Sequence, residues 1–445
     1  MENSRGPIMF WFILFFPLLI YPWGYDPYYT IPKTAYLQLF VLGAWMYIVM
    51  KKRYQLFTMA ASPFNIEYII ILFFGFISLS TLFSVDTQTS LFGVKDRYEG
   101  ILTLFSYCSI LLFSYRLMDK KRLEKVVPGM IMISVIVSIY GILQHYLVDF
   151  LPRNSDKLNY NRSYGFFDNP NFFGSYLVLM ILLGTALYLT AKTKKASFFY
   201  YLAASLAFIA LLFSGTRSGW IGTFCGIVFL SVYVIFRRRQ LWLKWGALLI
   251  TFVFAMTLIN YAENGAYSNR ANVIVTDSYK IISNQSTGEE GSSRFLIWKK
   301  TLPLVKEYFW LGSGPETLHL VFPEDAEKKR YFGNSLVDKA HNEYLHIAVT
   351  LGIPALITYL WLLTVVLRRA FQAVREAEEK EKIILYGLIA AIGGYLVQAF
   401  FNISTVPVAP LFWALLGITL AKSGMILQKE SIDLPSKHVT LNQSA

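Results

Sequence analysis

With 445 residues, 55% of them hydrophobic and only 16% charged, and a mean hydropathy of +0.45, the chain is too apolar for a soluble domain of its length and reads as a polytopic membrane protein. A net charge of +13 would suit a nucleic-acid partner, but the basic residues stand in short clusters between apolar runs, as at Lys51–Arg53, Lys120–Arg122, Lys194–Lys195, Arg237–Arg239 and Arg368–Arg369. That placement is the one that orients membrane helices. Cys108 and Cys225 both fall inside apolar runs, so no disulfide is expected.

Arg5 and the apolar run from Ile8 to Ile20 resemble a secretion signal, yet no small-residue cleavage site follows. An aromatic interface segment, Tyr21 to Tyr29, comes instead, so a retained first helix is expected. Apolar runs of the length that crosses about 30 Å of hydrocarbon lie near 8–22, 34–50, 66–84, 100–118, 126–147, 169–190, 196–213, 218–236, 242–260, 343–367, 383–401 and 407–421. The expected fold is all-α, with about twelve transmembrane helices. The first and last runs are short and carry Pro17 and Pro410, so either can be tilted or re-entrant. The basic clusters place both termini in the cytoplasm and the loops at 85–99, 148–168, 261–342 and 402–406 outside. The organisation expected is therefore helices over 1–260, one large and partly helical extracytoplasmic loop over 261–342, helices over 343–427, and a polar cytoplasmic tail, 428–445, without stable structure.

The large loop carries Arg270, Arg294 and Arg330 and a turn-rich stretch from Asn284 to Ser293, a composition that must face water. From Arg294 to Phe309 the apolar residues Phe295, Trp298, Leu302, Val305 and Phe309 share one sector at helical spacing, with Pro303 expected to kink or divide the helix. Leu311-Gly-Ser-Gly-Pro315 then reads as a turn rather than a phosphate loop, because a lone Gly-x-Gly is weak evidence for phosphate.

Three places carry polar chemistry at the mouths of apolar runs. Phe167-Asp-Asn-Pro-Asn171 opens a span with Asn169 as N-cap and Pro170 in the first turn. Ser214-Gly-Thr-Arg-Ser-Gly219 puts Arg217 where the chain turns back into the bilayer; a snorkelling arginine is the plain alternative to a guanidinium that recognises phosphate. His341 follows the large loop and opens the next span, and Asn342 stands beside it. His341 and His346 are five residues apart and diverge by about 140° on a helix, so they do not make a His-x-x-x-His zinc pair. His346 is read as structural, and neither a metal nor a cofactor is expected.

These motifs, with Arg294-Phe-Leu-Ile-Trp298 and His341-Asn342 nine residues ahead of Gly352, resemble the O-antigen ligase and O-antigen polymerase family of bacterial envelope enzymes over roughly 65–420. The resemblance implies a glycosyltransferase of the bacterial cytoplasmic membrane that uses a polyprenyl-diphosphate-linked glycan as donor, needs no nucleotide sugar or metal, and joins the glycan to a hydroxyl of a glycan, lipid or protein acceptor. It implies catalytic roles for Arg217, Arg294 and His341. Arg270, Arg330, Asn169 and Asn342 are taken as further substrate contacts. Ala355 stands where the ligase pattern often has another small or hydroxyl residue. The rival readings are a transporter of lipid-linked oligosaccharide and a scaffold for an envelope assembly complex. Twelve spans would serve export, but the polar residues gather on one side instead of tracing a path through the bilayer.

Overall fold

A computed structural model of the protein describes residues 7–21, 30–51, 65–151, 162–283, 285, 290–291 and 293–433. Most of the expected aromatic segment before Tyr29, most of the turn-rich stretch from Asn284 to Ser293, and the tail after Asp433 lie outside the described residues.

The described residues form helices and no strand. Nine of these helices are long and apolar enough to cross a bilayer: Thr30–Met50, Lys120–His145, Pro170–Thr190, Lys194–Ser214, Arg217–Arg237, Arg239–Ala262, Ile353–Glu376, Glu379–Ala399 and Ala409–Gln428. Three shorter apolar helices, Pro7–Leu18, Ile66–Leu82 and Ile101–Arg116, stand where three further spans are expected. The latter two reach only about 25 Å at 1.5 Å per residue. The protein is thus an all-helical, multi-pass membrane protein.

Pro170–Thr190 is the axis of the bundle. Its apolar window is wholly buried inside the protein, because Lys194–Ser214, Arg217–Arg237, Glu379–Ala399 and Lys120–His145 pack around it. A helix that is apolar on every side needs such a position, and two of its hydroxyls turn inward on its own backbone: Ser175 donates to the Asn171 carbonyl at 2.9 Å and Thr185 to that of Ile181 at 2.7 Å. A second layer is built by Ala409–Asp433 against Ile101–Arg116 and Ile353–Glu376. This last helix runs beyond residue 427, where the cytoplasmic tail was expected to begin.

The single span expected over 343–367 is a correction: it is two helices, Glu343–Thr350 and Ile353–Glu376. Gly352 separates them with φ +89°, and Pro354 sits in the first turn of the second. The freed backbone groups are taken up by the turn after Phe309. Ser313 N–H donates to the Val349 carbonyl and Gly314 N–H to that of Thr350, both at 2.9 Å, while Ile353 N–H donates to Phe309 at 2.8 Å. Ser80 adds a hydroxyl to the Thr350 carbonyl at 2.8 Å. The Gly-x-Gly turn therefore plugs a helix break. A Cβ at Gly312 would lie 2.2 Å from the Thr350 carbonyl carbon, and one at Gly352 would lie 2.6 Å from the Trp310 oxygen.

The stretch 294–309 is divided at Pro303 into Arg294–Thr301 and Leu304–Glu307. Its buried face differs from the one expected: Leu296, Ile297, Thr301 and Leu304 point into the protein, while Leu302 and Phe309 are exposed. The proline breaks the phase that a continuous helix would carry. Ile297 and Leu304 form a small core with Leu318, Phe322, Val337, Ala340 and Val349, which seats the loop on the broken helix. Gly352→Ala is expected to cost on the order of 1–3 kcal/mol, read as a lower thermal midpoint in detergent. Gly43→Ala, in a helix with nothing within 4 Å of the added Cβ, should cause no loss.

Candidate active site

A cavity of about 400 Å³ opens at the N-terminal end of Pro170–Thr190, lined by Arg162, Asn171, Gly215, Arg217, Ser218, Arg270, Val273 and Arg294. Four guanidiniums thus share one space. Each arrives by a different local device. Arg217 is the first residue of its helix, after the left-handed Gly215 (φ +59°) that ends the preceding one. Arg270 is carried by Ala266–Ile282 and donates to the Gly215 carbonyl at 2.9 Å. Arg294 opens its own helix after Ser293, held at φ +63°, and donates to the Phe401 carbonyl. Arg162 donates to the Ser214 carbonyl at 2.7 Å and reaches Asn171 Oδ1 at 3.3 Å.

Two helices, Pro170–Thr190 and Arg217–Arg237, also begin here, so their N-terminal amides add positive potential to that of the side chains. Asp277 meets the cluster, 3.5 Å from Arg217 Nη1, while also accepting from Gly291 N–H at 2.9 Å, and Glu290 lines the adjoining crevice. Burial and the neighbouring arginines, Arg270 first, pull Arg162 down to about 10. Burial and then Arg217 do the same to Arg294, and Arg270 is lowered by burial and Arg217. All remain charged at neutral pH, so the cavity is an electropositive site that an anion would relieve.

A smaller crevice of about 120 Å³ adjoins it, sharing Arg217, Ser218 and Arg294 and walled by Ile221, Ile274, Ile281, Phe295, Trp298 and Phe401. Cationic and apolar surface meet at that boundary, the combination that a lipid with an anionic head group requires.

His341 is held beside this cluster by the 338–342 turn. It has φ +48°, a left-handed conformation that is strained for a residue with a Cβ. Its Nδ1 is buried with no hydrogen-bond partner. Burial and then the Arg294 charge lower it to about 4, with Arg97 and Lys339 adding to the effect and Asp338 opposing it. His341 is therefore a neutral imidazole at physiological pH.

The expected residues divide clearly. Arg217, Arg270 and Arg294 come together, and His341 is placed beside Arg294. Arg330 is exposed on Ala326–Phe332, stacked over Tyr331, and lines neither cavity, so it drops out of the site. Asn169 is an N-cap that accepts from Asn171 N–H at 2.8 Å, and the residue lining the cavity is Asn171. Asn342 is likewise an N-cap, accepting from Leu345 N–H at 3.0 Å. Arg162 was missed; it stands five residues ahead of the Phe167–Asn171 motif, in a loop without periodicity. Lys33 was missed too: its ammonium is buried and donates to the carbonyls of Leu19 at 2.7 Å and Phe166 at 2.9 Å, fixing the approach to that motif. His346 is buried, with Nε2 3.4 Å from Lys339 Nζ. Among the described residues no group of three His, Cys, Asp or Glu side chains could hold a metal.

The charge balance predicts anion binding. Inorganic pyrophosphate should raise the thermal midpoint of the purified protein, less so at high salt. Arg162→Gln should weaken that stabilisation several-fold, as for loss of one charge-assisted contact.

A protein of Haemophilus influenzae, itself uncharacterized, is 23% identical over 205 residues, an alignment that covers 44% of this chain and 50% of that relative. The match thus spans about half the relative's length. Residues 202–360 match the family described as O-antigen ligase, a segment that includes Arg217, Arg270, Arg294 and His341.

Proposed function

We propose that the protein transfers a glycan from a polyprenyl-diphosphate carrier to an acceptor hydroxyl, at the outer face of the bacterial cytoplasmic membrane and with inversion at the anomeric carbon. The observation that carries this reading is the convergence of four arginines, an adjoining apolar crevice and a neutral histidine at one end of the bundle. In the reaction the acceptor oxygen attacks the anomeric carbon, and the bond from that carbon to the diphosphate oxygen breaks. The electron pair leaves with the diphosphate, and the acceptor proton passes to His341.

Arg217 and Arg294 hold the diphosphate at the boundary between the two cavities, and Arg162 and Arg270 extend the same clamp. Charge grows on the leaving oxygens as the bond breaks, and prepositioned guanidiniums stabilise that state without reorganising. The apolar crevice suits the first isoprene units of the carrier. His341 serves as general base, and its low proton affinity keeps it in the accepting form. No metal or cofactor has a part in this scheme. The long polar segment 261–342 acts as the domain that carries Arg270, Arg294 and His341 to the outer surface.

Several outcomes test this in a reconstituted assay with a lipid-linked glycan and acceptor. Arg217→Lys and Arg294→Lys should each lose about 10²–10³ in rate at normal membrane levels; near-normal activity in both would remove the clamp. His341→Ala should lose about 10²–10⁴ while donor binding persists. Glycan crossing a sealed bilayer with no new covalent product would establish a transporter instead.

The pH dependence has a definite sign. His341 must be neutral to accept a proton, and its value lies near 4 instead of the ordinary 6.5, so activity should hold as pH falls through 6.5 and decline only toward 4. Reporter fusions at Lys194, Arg238 and Ala377 should read cytoplasm and one at Glu327 the exterior; a cytoplasmic signal at Glu327 would overturn the placement of the site.

A further inference from the structure

Behind His341 lies a second charged cluster that the transfer chemistry does not use. Lys339 is 2% exposed and its ammonium is clamped by the Glu316 carboxylate, with Glu99 at 4.0 Å and His346 at 3.4 Å. Glu99 in turn accepts from the Tyr107 hydroxyl at 2.6 Å. Glu316 is itself buried, sits at φ +65°, and has one carboxylate oxygen without a partner. A buried group of this kind is expensive unless paired.

Three residues of the turn before the helix Glu343–Thr350 are tied to other elements, and a fourth caps the helix itself. Asp338 pairs with Arg97 at 2.9 Å, Ala340 accepts from the Trp298 indole at 2.9 Å, and Asn342 caps the helix. Lys339 is the more deeply buried of the two charged anchors. The residue they flank, His341, is the strained one (φ +48°). Strain of about 1–3 kcal/mol persists only where surrounding contacts over-determine the conformation.

We propose that Lys339 is the positioning residue for His341: clamped by Glu316 with Glu99 behind it, it locks the 338–342 turn in its left-handed form and keeps the imidazole beside Arg294. The catalytic half of this statement rests on His341 being the acceptor base; the conformational half does not. Lys339 acts by geometry and by charge. Burial would lower its own proton affinity, but Glu316 and Glu99 hold it above the ordinary value, so it is a permanent cation. The charges acting on His341 are Arg294, Arg97 and Lys339, which disfavour the imidazolium, and Asp338, which favours it. Removing Lys339 takes away one of the three disfavouring charges and loosens the turn, and both changes let His341 protonate more readily.

The test uses the purified full-length protein and a readout independent of transfer. Diethyl pyrocarbonate modifies neutral imidazole, so its rate at His341 against pH, followed by mass spectrometry, reports the histidine's titration directly. In the native protein half-modification should fall near pH 4. Lys339→Met should move that midpoint toward neutrality and lower kcat about 10- to 100-fold, as for a displaced catalytic group, with the donor KM within about twofold. Lys339→Arg, which keeps the charge, should restore the midpoint. Because Lys339→Met leaves Glu316 buried and unpaired, Lys339→Met/Glu316→Gln is the variant that decides if the single one does not fold; it too should show the moved midpoint and low kcat. A native midpoint and kcat in whichever of these folds overturns the proposal. If instead His341→Ala transfers normally while the midpoint still moves, the base assignment fails and Lys339 remains the anchor of the turn.

Discussion

Of the four guanidiniums that share one cavity, three are held there by helix-end carbonyls, and Arg217 faces the Asp277 carboxylate. Arg162 and Arg270 bind the carbonyls of Ser214 and Gly215, at the C-terminal end of Lys194–Ser214, and Arg294 binds that of Phe401, just past the end of Glu379–Ala399. Unsatisfied carbonyls at a helix end need donors, and the negative end of the dipole favours a cation by about 0.3–1 kcal/mol. A carbonyl fixes an arginine without neutralising it. The three arginines held by carbonyls thus keep charge for an external anion, and Asp277 is set against Arg217. The rest of the bundle follows from this need: Pro170–Thr190 must be fully enclosed so that three helix ends can converge on one point.

The second cluster, around Lys339, solves the reverse problem. Here carboxylates outnumber the lysine: Glu316 clamps it and Glu99 stands behind, with burial raising Glu99 to about 8 against the pull of Lys339. The lysine's charge is met within the group. One cluster is built to bind and the other to hold. His341 lies between them: burial lowers its proton affinity first, and both clusters add to that, since Arg294 belongs to the first and Lys339 to the second.

What could be read from the sequence depended on whether a residue breaks a local pattern. Arg217 was legible because a charge in Ser214–Gly219 interrupts an apolar run, and His341 because it stands at the junction of polar and apolar sequence. Arg162 and Lys339 lie inside polar stretches, where one more basic residue breaks no pattern; their roles come from contacts with residues 52 positions away, Ser214, and 23 positions away, Glu316. Asn169 was expected as an N-cap and is one, and Asn342 caps the helix that follows it in the same way. The helix break at Gly352 was hidden by hydropathy, which does not register that Leu351 ends one helix and Pro354 belongs to the first turn of the next. A glycine followed two residues later by proline is a stop-and-start signal in its own right, and it outranked the apolar count.

That break also determines where the histidine can stand. A continuous helix through 343–367 would have no free carbonyls at Val349 and Thr350, and the turn at Ser313 and Gly314 would lose its acceptors. The turn carries Glu316 two residues further on, so the helix break, the Gly-x-Gly plug and the Lys339 clamp are one mechanical unit. Ile297 and Leu304 pack against Val349 in the same small core, which ties the helix that begins at Arg294 to the segment that follows His341. The spacing between Arg294 and His341 is therefore set by apolar packing and backbone hydrogen bonds rather than by any direct bond between the two. Substitutions that loosen this unit far from the cavity should alter the relation of Arg294 to His341 without touching either residue.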